Sequence, residues 1–527
     1  MERWHPPQDV TPQEEHLLKR LTRVRKLFAF LRLHRGTLFD AAFQAELATM
    51  YRDTGAGDEP CPPALLAMAT LLQGYVRASD AEAVELTVTD LRWQMVLGCL
   101  GATEPPFSQG ALQAFRSRLV AHDMDRVLLE RSVALARTTG AADPAALSSA
   151  LRVAIDSRPL AGAGRVEDTI NLLGHAARSI VRIVASVLGR EPEEICRRAG
   201  TPLLLAPSIK AGLDLDWSDP AQRAEAVATV ERQVSRLHRW VERHLPTWSA
   251  HAPLTPYIEA LVEIQAQDLT WDERGRASLR EGVLPERRVS IEDAEMRHGR
   301  KSRSKRFDGY KEHIARDLDT PVIVACAVTP ANQPEERAAT ALKADIERQA
   351  LAIAELSIDR AYLASPVVDE VRAAGGVVLC KPWPQGGRDG RFGKRDFVLD
   401  LRRKVVTCPA GQQAPLELGA VTKFDPARCA RCPLRAQCTT AASGRGRTVA
   451  IAADEAEQKR LRARQGTRTG RAALRQRVPV EHALAHIAAR KGSKARYVGA
   501  RKNLFDLRRA ATIQNLEATQ RLLAEAA

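Results

Sequence analysis

The chain has 527 residues and a mass of 57.9 kDa, enough for about three or four domains. Its 45% hydrophobic and 27% charged residues, with no apolar run near the ~18 residues of a membrane span and no signal-like start, set aside secreted, membrane, collagenous and disordered classes. The net charge is +15, and the window from Lys459 to Arg509 holds 16 Lys/Arg against two acids, Glu481 and Asp506, so it carries +14 of it. Such asymmetry points to a polyanion. Aromatics at 5% argue against a stacked single-strand binder and favour duplex DNA.

In chain order, residues 1–150 read as helical. Leu17, Leu18, Leu21, Val24, Phe28 and Leu31 recur at helical spacing; Ala64 to Tyr75 and Val84 to Cys99 follow as apolar helices. Ser108 is a predicted N-cap for a helix bearing Arg116 and Arg118, whose basic side is either solvated or laid on a DNA backbone. At 151–156 the pattern becomes a β-type run ending in Asp156. Residues 167–285 return to helix, with Val227, Val230, Val234, Leu237 and Val241 forming a coiled-coil-like seam of barely two heptads, which favours an internal helix pair over a dimer zipper.

From 307 onward strands and helices alternate, the mark of an α/β architecture. Phe307–Asp317 and Pro321–Thr329 are predicted strands, Glu335–Ala354 a helix, Ile358-Asp359 the end of a further strand, and Val377–Cys380 another. A Gly- and Arg-rich loop spans 386–395. A cysteine-bearing segment fills 400–450, and a basic helical region runs from 451 to 527.

Two constellations carry chemistry. Asp156 and Asp359 each close an apolar strand, and Glu481 stands nearly alone in the basic window. Three such carboxylates offer hard oxygen ligands to two Mg²⁺ ions, one activating an attacking water or hydroxyl and one stabilising the leaving oxygen of a phosphodiester. The second is Cys408-x20-Cys429-x2-Cys432-x5-Cys438, a spacing that suits one tetrahedral Zn²⁺ and leaves an iron–sulfur cluster as the alternative. Cys61, Cys99, Cys196, Cys326 and Cys380 are scattered and read as packed thiols.

Residues 153–164 (Val-Ala-Ile-Asp-Ser-Arg-Pro-Leu-Ala-Gly-Ala-Gly), 168–173, 297–301, 307–311, 328–332 and 358–362, in that order, resemble the catalytic segments of bacterial insertion-sequence DDE transposases. Pro62 to Leu119 is similar to the helical domain that precedes them. The resemblance implies an RNase H-like catalytic core built from 151–174, 291–399 and 451–527. A helical N-terminal DNA-binding and assembly domain would occupy 1–150, with a helical insertion at 175–290 and a metal-binding insertion at 400–450. It maps the triad to Asp156, Asp359 and Glu481, with two Mg²⁺ (or Mn²⁺) per site and one structural Zn²⁺.

Arg477 and Glu481 match the family's Arg-x-x-x-Glu step, which predicts one helical face for both. Leu474 and Ala488 replace its Tyr and Lys, a gap that Lys491, Lys494 or Arg496 would fill; Tyr497 is either a base-stacking or a core residue. With Arg490, Arg116 and Arg118, these make the expected DNA-binding set. The implied partners are duplex DNA, as terminal inverted repeats and target, and a second copy of the chain, in the bacterial cytoplasm. A catalytically inactive DNA binder or an RNase H-like nuclease without strand transfer are the rival readings.

Overall fold

The computed structural model describes all residues except 1, 23–24, 52–58, 140–149, 249–250, 283, 303, 388, 443 and 527. Eight helices come first: α1 (Pro12–Arg20), α2 (Lys26–Leu38), α3 (Ala41–Ala48), α4 (Pro63–Val76), α5 (Asp80–Thr89), α6 (Leu91–Leu97), α7 (Gln109–Ala121) and α8 (Met124–Thr138). Strand β1 (Ala150–Ala161) precedes α9 (Thr169–Leu188), α10 (Pro192–Ala199), α11 (Ile209–Leu213), α12 (Pro220–His244) and α13 (Thr255–Asp268). Then come β2 (Leu269–Trp271), β3 (Ala277–Leu279), β4 (Arg297–Arg300), β5 (Arg306–Asp317), β6 (Ile323–Pro330), α14 (Glu336–Glu347), β7 (Ala352–Ser357), α15 (Pro366–Ala373) and β8 (Val377–Leu379). The remainder is β9 (Val398–Asp400), β10 (Val405–Thr407), β11 (Gln413–Pro415), β12 (Val421–Lys423), α16 (Pro426–Ala430), α17 (Arg435–Cys438), β13 (Thr448–Ala450), α18 (Glu455–Gly466), α19 (Arg468–Arg475), α20 (Val478–Lys491) and α21 (Ala500–Ala526).

These elements fall into two compact units. The first holds 1–150, 156–352 and 480–527; the second holds 151–155 and 353–479. In the first, α4 is apolar all round and accordingly buried all round. It centres a core of Leu, Phe and Trp side chains from α2 to α8, closed by Phe505, Ile513 and Leu516 of α21. The helix starts are chemically specified: Thr11 with Glu14, and Ser79 with Glu82, form reciprocal capping boxes. Ser108 caps α7 through Ala111 N–H at 3.1 Å, as its sequence position predicts.

A second apolar cluster in this unit is built by α9, α10, α12 and α13, and it buries the whole Val227–Val241 seam. The seam is therefore an internal helix contact. β5 pairs antiparallel with β4 over 306–309 and with β6 over 310–316. The latter half of β1 lies beside β5: Gly162 N–H donates to Asp308 O at 2.8 Å. Gly309 makes this approach possible. It has φ 144°, and a Cβ there would lie 2.3 Å from both Leu160 O and Gly162 N. From α21, Asn515 donates to Ile323 O (2.9 Å) and accepts from Ile323 N–H (2.7 Å), pairing with a β6 peptide as a neighbouring strand would.

In the second unit β7 and β8 are parallel, with Ser357 opposite Leu379. Arg152 of β1 bonds Glu355 of β7 at 3.2 Å. The cysteine-bearing segment forms the antiparallel ribbons β9–β10–β11 and β12–β13, each strand three residues long. They enclose a small core of Phe397, Val406, Phe424, Val449 and Ile451.

Several element boundaries differ from the sequence expectation. Asp90 splits 84–99 into α5 and α6, because its carboxylate accepts Arg92 N–H and starts a new helix. The strand read as ending at Asp156 runs on to Ala161, since Arg158 is buried against Glu312 of β5 and Leu160 enters the core. The 167–285 helical region also contains the hairpin β2–β3. Helix α14 stops at Glu347, and β7 begins by Ala352.

Candidate functional site

Asp156 is half-buried in β1, two residues ahead of Arg158 and so on the same face of the strand. That face meets α20. Arg158 donates to Glu312 at 2.6 Å and to Gly492 O at 3.0 Å, while Ala161 N–H donates to Ser493 O at 2.9 Å. Lys491 pairs with Glu312 and, at 3.1 Å, with Asp506, which also takes Arg509 at 2.7 Å. The end of α20 is thus clamped to β1. Glu481 is exposed in the first turn of the same helix, where the helix dipole favours a carboxylate.

Asp359 lies in the second unit, exposed, two residues past β7 and beyond the carboxyl ends of the parallel β7–β8 pair, where α/β sheets place their sites. It caps a short 3-10 turn, accepting Arg360 N–H at 2.7 Å. Arg360 in turn donates to Pro382 O at 2.8 Å, with its guanidinium 5.9 Å from the Trp383 ring. Cys380 lies close behind. Burial pushes its thiol up to about 12, with Asp359 adding to the rise and Arg360 and Arg477 opposing it. Two of the sequence-predicted residues, Asp359 and Arg477, therefore share one electrostatic neighbourhood, together with Arg360.

Arg477 is not on the helix that carries Glu481. Helix α20 starts at Val478, because Pro479 fits only the first turn, so Arg477 stands in the preceding turn and the expected shared helical face is corrected.

The basic residues divide by their partners. Arg116 is held by Asp80 through two 2.7 Å bonds, and Arg118 lies 4.5 Å from the Tyr51 ring. Arg490 pairs with Glu517 and lies over Tyr75. Lys491, expected on DNA, is only 6% exposed and is a buried clamp between carboxylates. Lys494 and Arg496 are exposed. Tyr497 packs against the N-terminal core, its ring 6.1 Å from that of Phe505.

The four clustered cysteines line one cavity of about 20 Å³ with Phe392, Phe424 and Arg447. Cys408 Sγ accepts Gln412 N–H at 3.3 Å. Burial raises the Cys438 thiol; Arg447 opposes this, and Cys429, Cys408 and Cys432 add to it, so the four sulfurs feel one another. Among the described residues, however, no three or more His, Cys, Asp or Glu side chains stand in metal-holding geometry. The other cysteines are buried or half-buried thiols, as expected.

Residues that the sequence reading missed are Glu312 and Asp506, the counter-charges of α20, and Arg360 and Trp383 beside Asp359. Arg360 adjoins a predicted acid and could have been read; Glu312 could not, because its partners lie more than 150 residues away in either direction.

Residues 407–519 match the family model described as a transposase DDE domain, and residues 13–118 match the one described as a transposase domain, DUF772. No curated protein and no solved structure matches the chain. The class these matches define is that of DNA transposases, DNA-processing enzymes that use a divalent metal, Mg²⁺ or Mn²⁺. Within it, the pair of matches supports an insertion-sequence DDE transposase, as the ordered motifs imply. A DDE domain implies an RNase H-like core, in keeping with the mixed helix and sheet architecture. Among the described residues no single helix is long and apolar enough to cross a membrane.

Proposed function

We propose that the chain binds the terminal inverted repeats of an insertion sequence, cleaves phosphodiesters at the element ends, and joins the freed 3′-hydroxyls to target DNA. The observation that carries this reading is the DDE-domain match over 407–519, which contains Glu481, taken with Asp359 exposed beyond a parallel strand pair. Asp156, Asp359 and Glu481 are its catalytic carboxylates. Their oxygen donors suit a hard divalent cation, and they would hold two such ions. Bound there, the ions supply charge stabilisation and an acidified water or hydroxyl for in-line displacement without a covalent enzyme intermediate.

The remaining work falls to the chain's own groups. Arg158, Glu312 and Lys491 fix the end of α20 against β1 and so set where that helix presents Glu481. Arg360 and Arg477 place positive charge near Asp359, suited to a scissile-strand phosphate. Lys494 and Arg496, exposed after α20, add backbone contacts. Pairing two element ends calls for a dimer or larger assembly.

Cys408, Cys429, Cys432 and Cys438 are the ligands of one structural Zn²⁺ in this reading, with an iron–sulfur cluster as the competing occupant. The support is their common cavity and mutual electrostatic influence. The test of the catalytic assignment is a strand-transfer assay on labelled terminal-repeat DNA. Asp156→Asn, Asp359→Asn and Glu481→Gln should each lose cleavage while retaining repeat binding, because affinity comes mainly from phosphate contacts. Near wild-type transfer by any of the three removes that residue from the site. Cleavage without joining identifies a nuclease, and repeat binding without either identifies an inactive binder.

A further inference from the structure

In the first unit a cavity of about 230 Å³ opens between the end of α4 and helices α20 and α21. Its walls carry Arg77, Arg490, Lys491, Arg496 and Arg509 against one carboxylate, Asp506. The counter-charges do not cover the cations. Asp506 is shared by Arg509 and Lys491, which also holds Glu312, and Glu517 takes Arg490. The nearby Asp80 is engaged by both terminal nitrogens of Arg116. Arg496 has a 3.3 Å bond to Ala78 O, and Arg77 has no side-chain partner among the described residues. Two exposed guanidinium groups thus face one recess without carboxylates of their own.

The backbone around this recess is specialised in two ways. Arg77 adopts φ 67°, a left-handed conformation that glycine ordinarily fills at a helix end. One turn earlier Gly74 lines the cavity; a Cβ there would lie 2.9 Å from Ile513 Cδ1 and 3.0 Å from Arg509 Cδ. Its lack of a side chain lets Arg509 lie flat against α4. The volume is below the roughly 300–1,000 Å³ usual for organic-ligand pockets. The charge and the size together select a small multivalent oxyanion, which forked guanidinium groups bind bidentately.

We propose that this cavity is a phosphoryl-group site, filled in the DNA complex by a single backbone phosphate held by Arg77 and Arg496 at its rim. The proposal rests on the transposase reading for its DNA ligand and extends it, since one phosphate joins the end of α4, through Arg77, to the segment that follows the helix bearing Glu481, through Arg496. It also gives Arg77, outside the basic terminal window, a role in binding.

Two measurements on the full chain test it, both without divalent metal so that no chemistry is needed. In the first, inorganic phosphate at constant ionic strength should raise the unfolding midpoint of the wild type relative to chloride, and fail to raise that of Arg77→Ala/Arg496→Ala. In the second, the slope of log affinity for duplex DNA against log salt should flatten by about 0.9 in the double variant, the value for one phosphate. Arg77→Lys/Arg496→Lys, which keeps the charge, should retain the wild-type slope.

Loss of the phosphate response with an unchanged slope assigns the site to a free phosphorylated molecule instead of DNA, and still supports a phosphoryl site. Flattening by about 1.8 means two separate phosphates on an open surface and overturns the single-phosphate cavity. Wild-type behaviour of the double variant in both measurements overturns the proposal altogether. A wild type that binds no duplex at all sinks the transposase reading, while the phosphate measurement still judges the cavity.

Discussion

The N-terminal helices and the cysteine-bearing segment solve the same problem with different means. The first cluster α2–α8 and α21 around more than thirty buried apolar side chains, including Trp93, Phe28, Phe115 and Phe505. The second has seven buried apolar residues, on strands of three residues each. Burial at about 25 cal/mol per Å² of apolar surface offsets chain entropy in the first case and falls far short in the second. The unit that contains the first also tolerates buried charge, such as the Arg158–Glu312–Lys491–Asp506–Arg509 chain of β1, β5, α20 and α21, as long as every charge is paired. In the proposed reading the second gains a cross-link from a metal held by its four thiols, which line one cavity.

The largest effect should come from breaking the smaller region. Structural zinc contributes an apparent ~10–16 kcal/mol in comparable small folds. A strong chelator, or Cys429→Ser, should release about one Zn²⁺ per chain and open 400–450 to protease, with the N-terminal helices still protected. Elemental analysis that finds no zinc, or iron with sulfide, would end that assignment.

Next in size is a cut in the buried charge chain. Glu312→Ala leaves Arg158 and Lys491 without their shared carboxylate and should cost about 3–5 kcal/mol, measured by denaturant unfolding. A loss under about 1 kcal/mol, the range of surface pairs, would mean that solvent reaches the chain.

The pH dependence sharpens the same point. Burial alone would raise the carboxyl of Asp506, but Arg509 and Lys491 outweigh it and hold the group below the ordinary aspartate range. A depressed folded-state pKa adds stability at pH values above the unfolded value, about 3.9, and that stability is lost as the pH falls through the lower folded value. Acid unfolding of the first unit should therefore steepen below about pH 4, and Asp506→Asn should remove that part of the curve. An unaltered acid limb in the variant would contradict the pairing.

The smallest effect belongs to a cap. Thr11→Ala removes the acceptor of Glu14 N–H and should cost about 1 kcal/mol, read as a small fall in unfolding midpoint. No shift would show that α1 adds nothing to the N-terminal core.

What could be read from sequence follows from how local each cause is. Most helices of 12–138, the strands around 307–330 and the internal seam of α12 have their signals inside one window and form there, although the run from Leu17 to Leu31 is divided between α1 and α2 and 84–99 between α5 and α6. Asp359 was placed just past a strand because Leu356-Ser357-Ile358 precedes it, and β7 does end at Ser357. Asp156 was placed at a strand end because Ser157-Arg158-Pro159 looks like a break; the strand continues because a carboxylate on β5, 154 residues on, neutralises Arg158. Lys491 looked like a DNA contact for the same reason: charge is visible in sequence, and the partner that buries it is not. Arg477 was read as sharing the helix of Glu481, although Pro479 starts α20 at Val478, one residue later.

The central claim is that Asp359 is a metal-holding carboxylate of a DNA-joining site. Its most direct test is Asp359→Cys in the full chain, assayed for strand transfer on labelled terminal-repeat DNA in Mg²⁺ and in Mn²⁺. A thiolate is a poor ligand for Mg²⁺ and a better one for the softer Mn²⁺. The account predicts wild-type transfer in both metals, no transfer by the variant in Mg²⁺, and measurable recovery in Mn²⁺. Undiminished transfer by the variant in Mg²⁺ would contradict it.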